Sequence, residues 1–68
     1  MSIHQIYFLQ RADGLIKIGT TTDFSGRLSA LTTSHGMLGI VRVINGGRKR
    51  EGEIHHRFRH FHEYGEWF

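Results

Sequence analysis

Two runs rich in branched and aromatic residues, IHQIYFLQ at 3–10 and LIKIGT at 15–20, flank the short connection RADG. Both read as strands, so the loop between them decides which side chains share a face. A two-residue Asp13-Gly14 turn would pair Tyr7 and Leu9 with Thr20 and Ile18, placing Ile6 and Phe8 on the same face as Lys17. A three-residue loop, Ala12-Asp13-Gly14 with Gly14 left-handed, shifts the register by one and reverses every facing. Ile6, Phe8, Ile16 and Ile18 then form one apolar face, with Tyr7, Leu9, Lys17 and Gly19 opposite. The second register segregates apolar from polar better, and it is the one adopted.

The rest of the chain follows the same logic. In TTDFSGRLSALTTSH, Thr22 or Asp23 can cap a helix with a side-chain oxygen, and Phe24, Leu28 and Leu31 fall on one helical stripe. Gly26 weakens that helix by about 1 kcal/mol relative to alanine, and Gly36 is placed to end it. LGIVRVIN at 38–45 reads as a third strand, and Gly46-Gly47 breaks the chain. A second helix is predicted from Arg48 to about His62, with Ile54, Phe58 and Phe61 on its core stripe. YGEWF closes as a turn and an aromatic tail, with an edge strand as one reading. The expected fold is α+β: one domain over 1–68, a small three-stranded antiparallel sheet flanked by helices in the order β-β-α-β-α.

Composition narrows the setting. With 68 residues there is room for one domain, which buries only roughly 60% of its unfolded surface. A partner or a homodimer is therefore expected to matter for stability. There is no cysteine, hence neither disulfides nor thiolate metal sites. No apolar run approaches a membrane helix and no signal-peptide pattern is visible, so a cytoplasmic protein without a membrane partner is expected. The formal charge of +3 with six neutral histidines favours a polyanionic partner, nucleic acid first.

Several residues carry chemistry beside a plainer role. Glu51 precedes Ile54 by three and His55 by four residues, which sets it beside the predicted buried stripe, whereas Glu53 aligns with Arg57 and points outward. A carboxylate there needs a partner: a divalent metal, an arginine or the helix N-terminus. Simple complementation of the helix dipole is the alternative. Arg27 borders the first helix's stripe and is otherwise a solvated arginine. Lys17 at a strand centre either snorkels or serves a site. Tyr7 is a core-edge aromatic or a reacting phenol, and Gly19 permits a close approach to its strand. His56 and His60, at i and i+4, are half of a zinc site that would need further ligands. The alternative is a basic face in which Arg48, Lys49, Arg50, Arg57 and Arg59, with those histidines, touch phosphates.

The ordered set IYFLQ…IKIGTT…R…L…E…HHRF…GEWF resembles the GIY-YIG endonuclease superfamily, nearest a short phage-type branch whose second motif reads KIG. The resemblance runs from about Ile6 to Phe68. By position it makes Tyr7 the first motif tyrosine, with Gln5 in place of the motif glycine. Lys17 stands in for the second tyrosine, and Gly19 is retained. Arg27 corresponds to the arginine acting on the scissile phosphate, Glu51 to the metal-binding glutamate, His55 and Phe58 to an H..F pair, and Glu66 with Trp67 to the terminal signature.

What the resemblance implies is a metal-dependent endonuclease, with DNA expected over RNA and little intrinsic sequence specificity. Mg²⁺ or Mn²⁺ would sit at Glu51, Arg27 would stabilise phosphoryl charge, and Tyr7 would position or deprotonate water. His55 would relay a proton or orient a ligand. Lys17 would either favour the Tyr7 phenolate or hold the phosphate. A nuclease fold that grips nucleic acid without cutting is the alternative, and a histidine-based zinc protein is a third reading. A single site makes one cut, so double-strand cleavage needs two protomers or two visits.

Overall fold

The structure, a computed structural model, describes residues 3–68; Met1 and Ser2, included in the single-domain expectation, lie outside the described residues. The elements are β1 (Gln5–Gln10), β2 (Ile16–Thr21), α1 (Phe24–His35), β3 (Gly39–Asn45) and α2 (Arg48–Arg57), followed by a 3-10 turn at Arg59–Phe61. This is the expected α+β arrangement in the expected order.

The hairpin adopts the three-residue loop. Tyr7 pairs with Gly19 and Leu9 with Lys17; the Arg11 amide donates to the Leu15 carbonyl at 2.9 Å, and Gly14 takes a φ of 95° that glycine accepts without strain. Asp13 locks the turn by accepting from the Arg11 guanidinium at 3.0 Å. A hairpin alone is marginal in water. β3 completes the sheet by pairing antiparallel to the other side of β1, giving the order β2-β1-β3, with a register irregularity opposite Phe8 and Leu9.

β2 and β3 both run antiparallel to β1, so they are parallel to each other and α1 is the crossover between them. The handedness of such a crossover selects one face of the sheet for the helix, independently of which face is more apolar. α1 packs on the Tyr7 face: Tyr7, Leu9 and Leu31 form a buried cluster with Phe24, Leu28, Leu38 and Val43 against it. The Phe24–Leu28–Leu31 stripe is thus real. Of the two candidate caps, Asp23 is used, its carboxylate accepting the Gly26 amide at 3.2 Å. The opposite face, expected to be the cleaner apolar one, is only partly filled. Ile6 and Ile18 are buried, while Phe8 and Ile16 line an open groove of about 740 Å³ with Val41, Phe58 and Phe68.

The second helix departs from expectation. It stops at Arg57 rather than near His62, and the chain tightens into the 3-10 turn. Ile54 is half-buried, whereas Phe58 and Phe61 are 39% and 67% exposed instead of continuing a core stripe. The break lets the chain double back so that its last residues reach the free edge of β2. There the Ile16 and Phe68 backbones exchange two hydrogen bonds, at 2.6 and 2.7 Å, and the Ile18 amide donates to the Glu66 carbonyl at 3.0 Å. The YGEWF tail therefore covers an exposed edge, as one reading of it anticipated.

Candidate active site

Where the tail's pairing stops, the outward Ile18 carbonyl accepts from His55 Nε2 at 2.9 Å. A carbonyl only accepts, so that nitrogen carries a proton, and His55 pins α2 against the edge of β2. The ring also lies on Phe68, with centroids 4.8 Å apart. The first half of α2 is thereby drawn to the end of the sheet where Gly19 and Tyr7 face each other.

A cavity of about 380 Å³ opens there. Tyr7 and Lys17 reach it from the hairpin, Arg27 from α1 and Glu51 from α2. The four residues singled out by type and spacing thus share one space. Glu66 from the tail and Arg48 from the first turn of α2 join them. Gly19 forms part of the floor. A Cβ at that position would stand 2.6 Å from the Tyr7 ring carbon Cζ and 3.0 Å from Glu66 Oε1. The Tyr7 ring is only 2% exposed and would have to shift, so Gly19→Ala is expected to cost about 1–3 kcal/mol as overpacking. Denaturant titration checks this; an unchanged midpoint would mean that the ring and strand are not in close contact.

The electrostatics differ from the expectation for Lys17. Its ammonium pairs with Glu66 Oε1 at 3.4 Å and lies over the Trp67 ring at 5.2 Å. The Tyr7 phenol is pushed above its ordinary value, first by burial and then by the Glu66 and Glu51 carboxylates, with Arg27 pulling the other way. Burial and both carboxylates thus favour the neutral phenol, while the Lys17 ammonium is engaged by Glu66. The reason is positional: the tail carboxylate, which local spacing does not reveal, takes up the ammonium.

Glu51 is the most poorly partnered group of the site. Its side chain is 14% exposed, and Oε2 is inaccessible to water without a hydrogen-bond partner. His55 Nε2 is 3.9 Å away, too far for a hydrogen bond. Burial, then the neighbouring Glu66 carboxylate, holds Glu51 above the usual carboxylate range. A bare, buried carboxylate oxygen facing a cavity with a second carboxylate fits a hard divalent cation. Such an ion needs few protein ligands when water and substrate oxygens complete its shell. Among the described residues no three histidines, aspartates or glutamates form a metal-binding group.

The remaining candidates lie outside the cavity. Lys49, Arg50 and Arg57 are exposed on α2. Arg59 lines a separate hollow of about 300 Å³ with His55, His56 and His62. His56 lies on α2 and His60 on the 3-10 turn, so the helical i, i+4 geometry behind the zinc reading is not formed. Trp67 is buried as a structural anchor. Two members of the site were not foreseen as such: Glu66, expected as a motif residue, and Arg48, expected on a phosphate-facing surface. No sequence signal places the tail beside β2, whereas Arg48 stands one helical turn before Glu51 and was within reach of the spacing argument. Among the described residues no helix is long and apolar enough to cross a membrane.

The fold and site define a small α+β domain in which a phenol, cationic side chains and two carboxylates converge on one open cavity. The chain matches the T5orf172 domain family over residues 4–68 and belongs to it; this is a phage-associated domain of the nuclease type. Compared with the curated proteins and with the solved structures, the chain finds no significant match in either set.

Proposed function

We propose that this domain is a divalent-metal-dependent endonuclease of the GIY-YIG type that hydrolyses phosphodiester bonds in DNA. The observation that carries this reading is the convergence of Tyr7, Arg27 and the unpartnered Glu51 on a single cavity. Hydrolysis of a phosphodiester needs a positioned water, donors for the phosphoryl oxygens and relief of charge on the departing alkoxide.

Each need has a matching group. The Tyr7 hydroxyl, neutral near neutral pH, orients the water by hydrogen bonding. Arg27 offers paired donors to the non-bridging oxygens. Glu51 would hold Mg²⁺ or Mn²⁺, which when bound supplies charge neutralisation at the phosphate and its leaving oxygen. His55 acts as an orienter of α2 and hence of Glu51. Arg48, at the cavity, and the exposed Lys49, Arg50, Arg57 and Arg59 supply sequence-independent phosphate contacts.

The test is nicking of supercoiled plasmid with Mg²⁺ or Mn²⁺. Tyr7→Phe is expected to slow nicking on the order of 10²-fold, the lower range for a group handling the water's proton, while DNA affinity is retained. Binding without nicking in either metal would leave a nucleic-acid-binding module on a nuclease fold. Full activity of Tyr7→Phe would remove the phenol from the reaction.

A further inference from the structure

Glu66 has a place in this cavity that the Glu51 metal reading does not use. Its backbone carbonyl is fixed by the Ile18 amide at 3.0 Å, so the side chain projects from a paired segment. Oε1 reaches the floor above Gly19, 3.0 Å from where a Cβ would stand, and the carboxylate lines the same cavity as Glu51. Two ionised carboxylates in one small cavity repel, and the cations around them compensate unevenly. Lys17 sits at 3.4 Å on the Glu66 side, and Glu51 Oε2 is left with no partner at all. Lys17, Arg27 and Arg48 also line the cavity, yet none of them bonds the buried Glu51 Oε2.

Resting on the metal-dependent reading of this site, we propose that Glu66 is a second carboxylate ligand, so that Glu51 and Glu66 hold one divalent cation between them and Lys17 occupies Glu66 when no ion is bound. Lys17 is then a competitor for Glu66, and binding the cation releases the ammonium into the cavity, where the substrate phosphate would lie. The protein holds its ion before nucleic acid arrives.

Mn²⁺ binding by the purified protein, followed by electron paramagnetic resonance of the free ion without DNA, tests this. Glu66→Gln keeps the backbone pairing and the side-chain shape. Removing even an outer-shell partner costs about 10–100-fold in metal affinity, so this variant is expected to lose at least about 10-fold. Lys17→Met, which frees Glu66, is expected to bind Mn²⁺ more tightly than wild type, an effect that a merely structural role for the tail would not give. Unchanged affinity in Glu66→Gln, with Glu51→Gln abolishing binding, would overturn the second ligand and leave the single-carboxylate reading intact. No Mn²⁺ binding by wild type would overturn both. Circular dichroism melts of each variant separate loss of the ligand from loss of the fold.

Discussion

Glu51→Gln is expected to give a protein that is more stable than wild type in the presence of a chelator and yet cuts DNA on the order of 10³-fold more slowly. The activity loss follows from removing the group proposed to hold the ion. A Lewis acid contributes several kcal/mol of charge stabilisation, and each 1.36 kcal/mol is about tenfold in rate. The stability gain follows from burial. Glu51 in the folded state sits above its ordinary value of 4.5, foremost because it is desolvated. An acid whose folded value is raised contributes stability that is fully present below the unfolded value and is lost as pH rises through the folded one. The metal-free wild type therefore weakens as pH climbs from about 4.5 through that raised value, and the glutamine variant does not. Urea midpoints in chelator should separate near neutral pH and converge at about pH 4, where the wild-type carboxyl is protonated. A gap of equal size at both pH values would show that the burial cost of the charge is not its origin.

Trp67→Ala is expected to leave little folded protein at room temperature. Trp67 is 3% exposed, with the Arg11 guanidinium 4.7 Å from the ring centroid and the His35 ring meeting it edge-on at 5.2 Å. Truncating a buried tryptophan costs about 3–5 kcal/mol, against a total of roughly 5–15 kcal/mol for natural domains and the low end for one this small. Losing the ring also removes the stacking contact of Arg11, leaving its hydrogen bond to the Tyr64 hydroxyl at 2.8 Å to tie the hairpin turn to the tail. Trp67→Phe keeps a ring and should retain a cooperative thermal transition. A melt of Trp67→Ala within a few degrees of wild type would show that the tail does not share in the cooperative fold.

Much of this arrangement is legible from local pattern. The loop RADG and the alternation on either side of it define the hairpin register, because a one-residue slip would invert every facing. The Phe24–Leu28–Leu31 stripe defines α1 and its buried side, and the offsets of Glu51 place it next to the interior. What local pattern omits is long-range. Nothing in LGIVRVIN says that β3 pairs with β1 rather than β2. No glycine or proline marks the end of α2 at Arg57; the helix yields because the chain must return to the β2 edge. Glu66 enters the site through that return, and with it the partner of Lys17. The direction of the Tyr7 shift depends on burial under α1 and on that same carboxylate, neither of which a sequence offset contains.

The tail's pairing with β2 also bears on the order in which the protein becomes functional during synthesis. β1, the central strand, is made well before the segment that contributes Glu66 and seals the edge of β2. A nascent chain can already hold Tyr7, Lys17, Arg27 and Glu51, yet it lacks the carboxylate that engages Lys17 and the indole that closes the sheet. The side chains that line the cavity are thus brought together only once the tail has docked on the edge of β2.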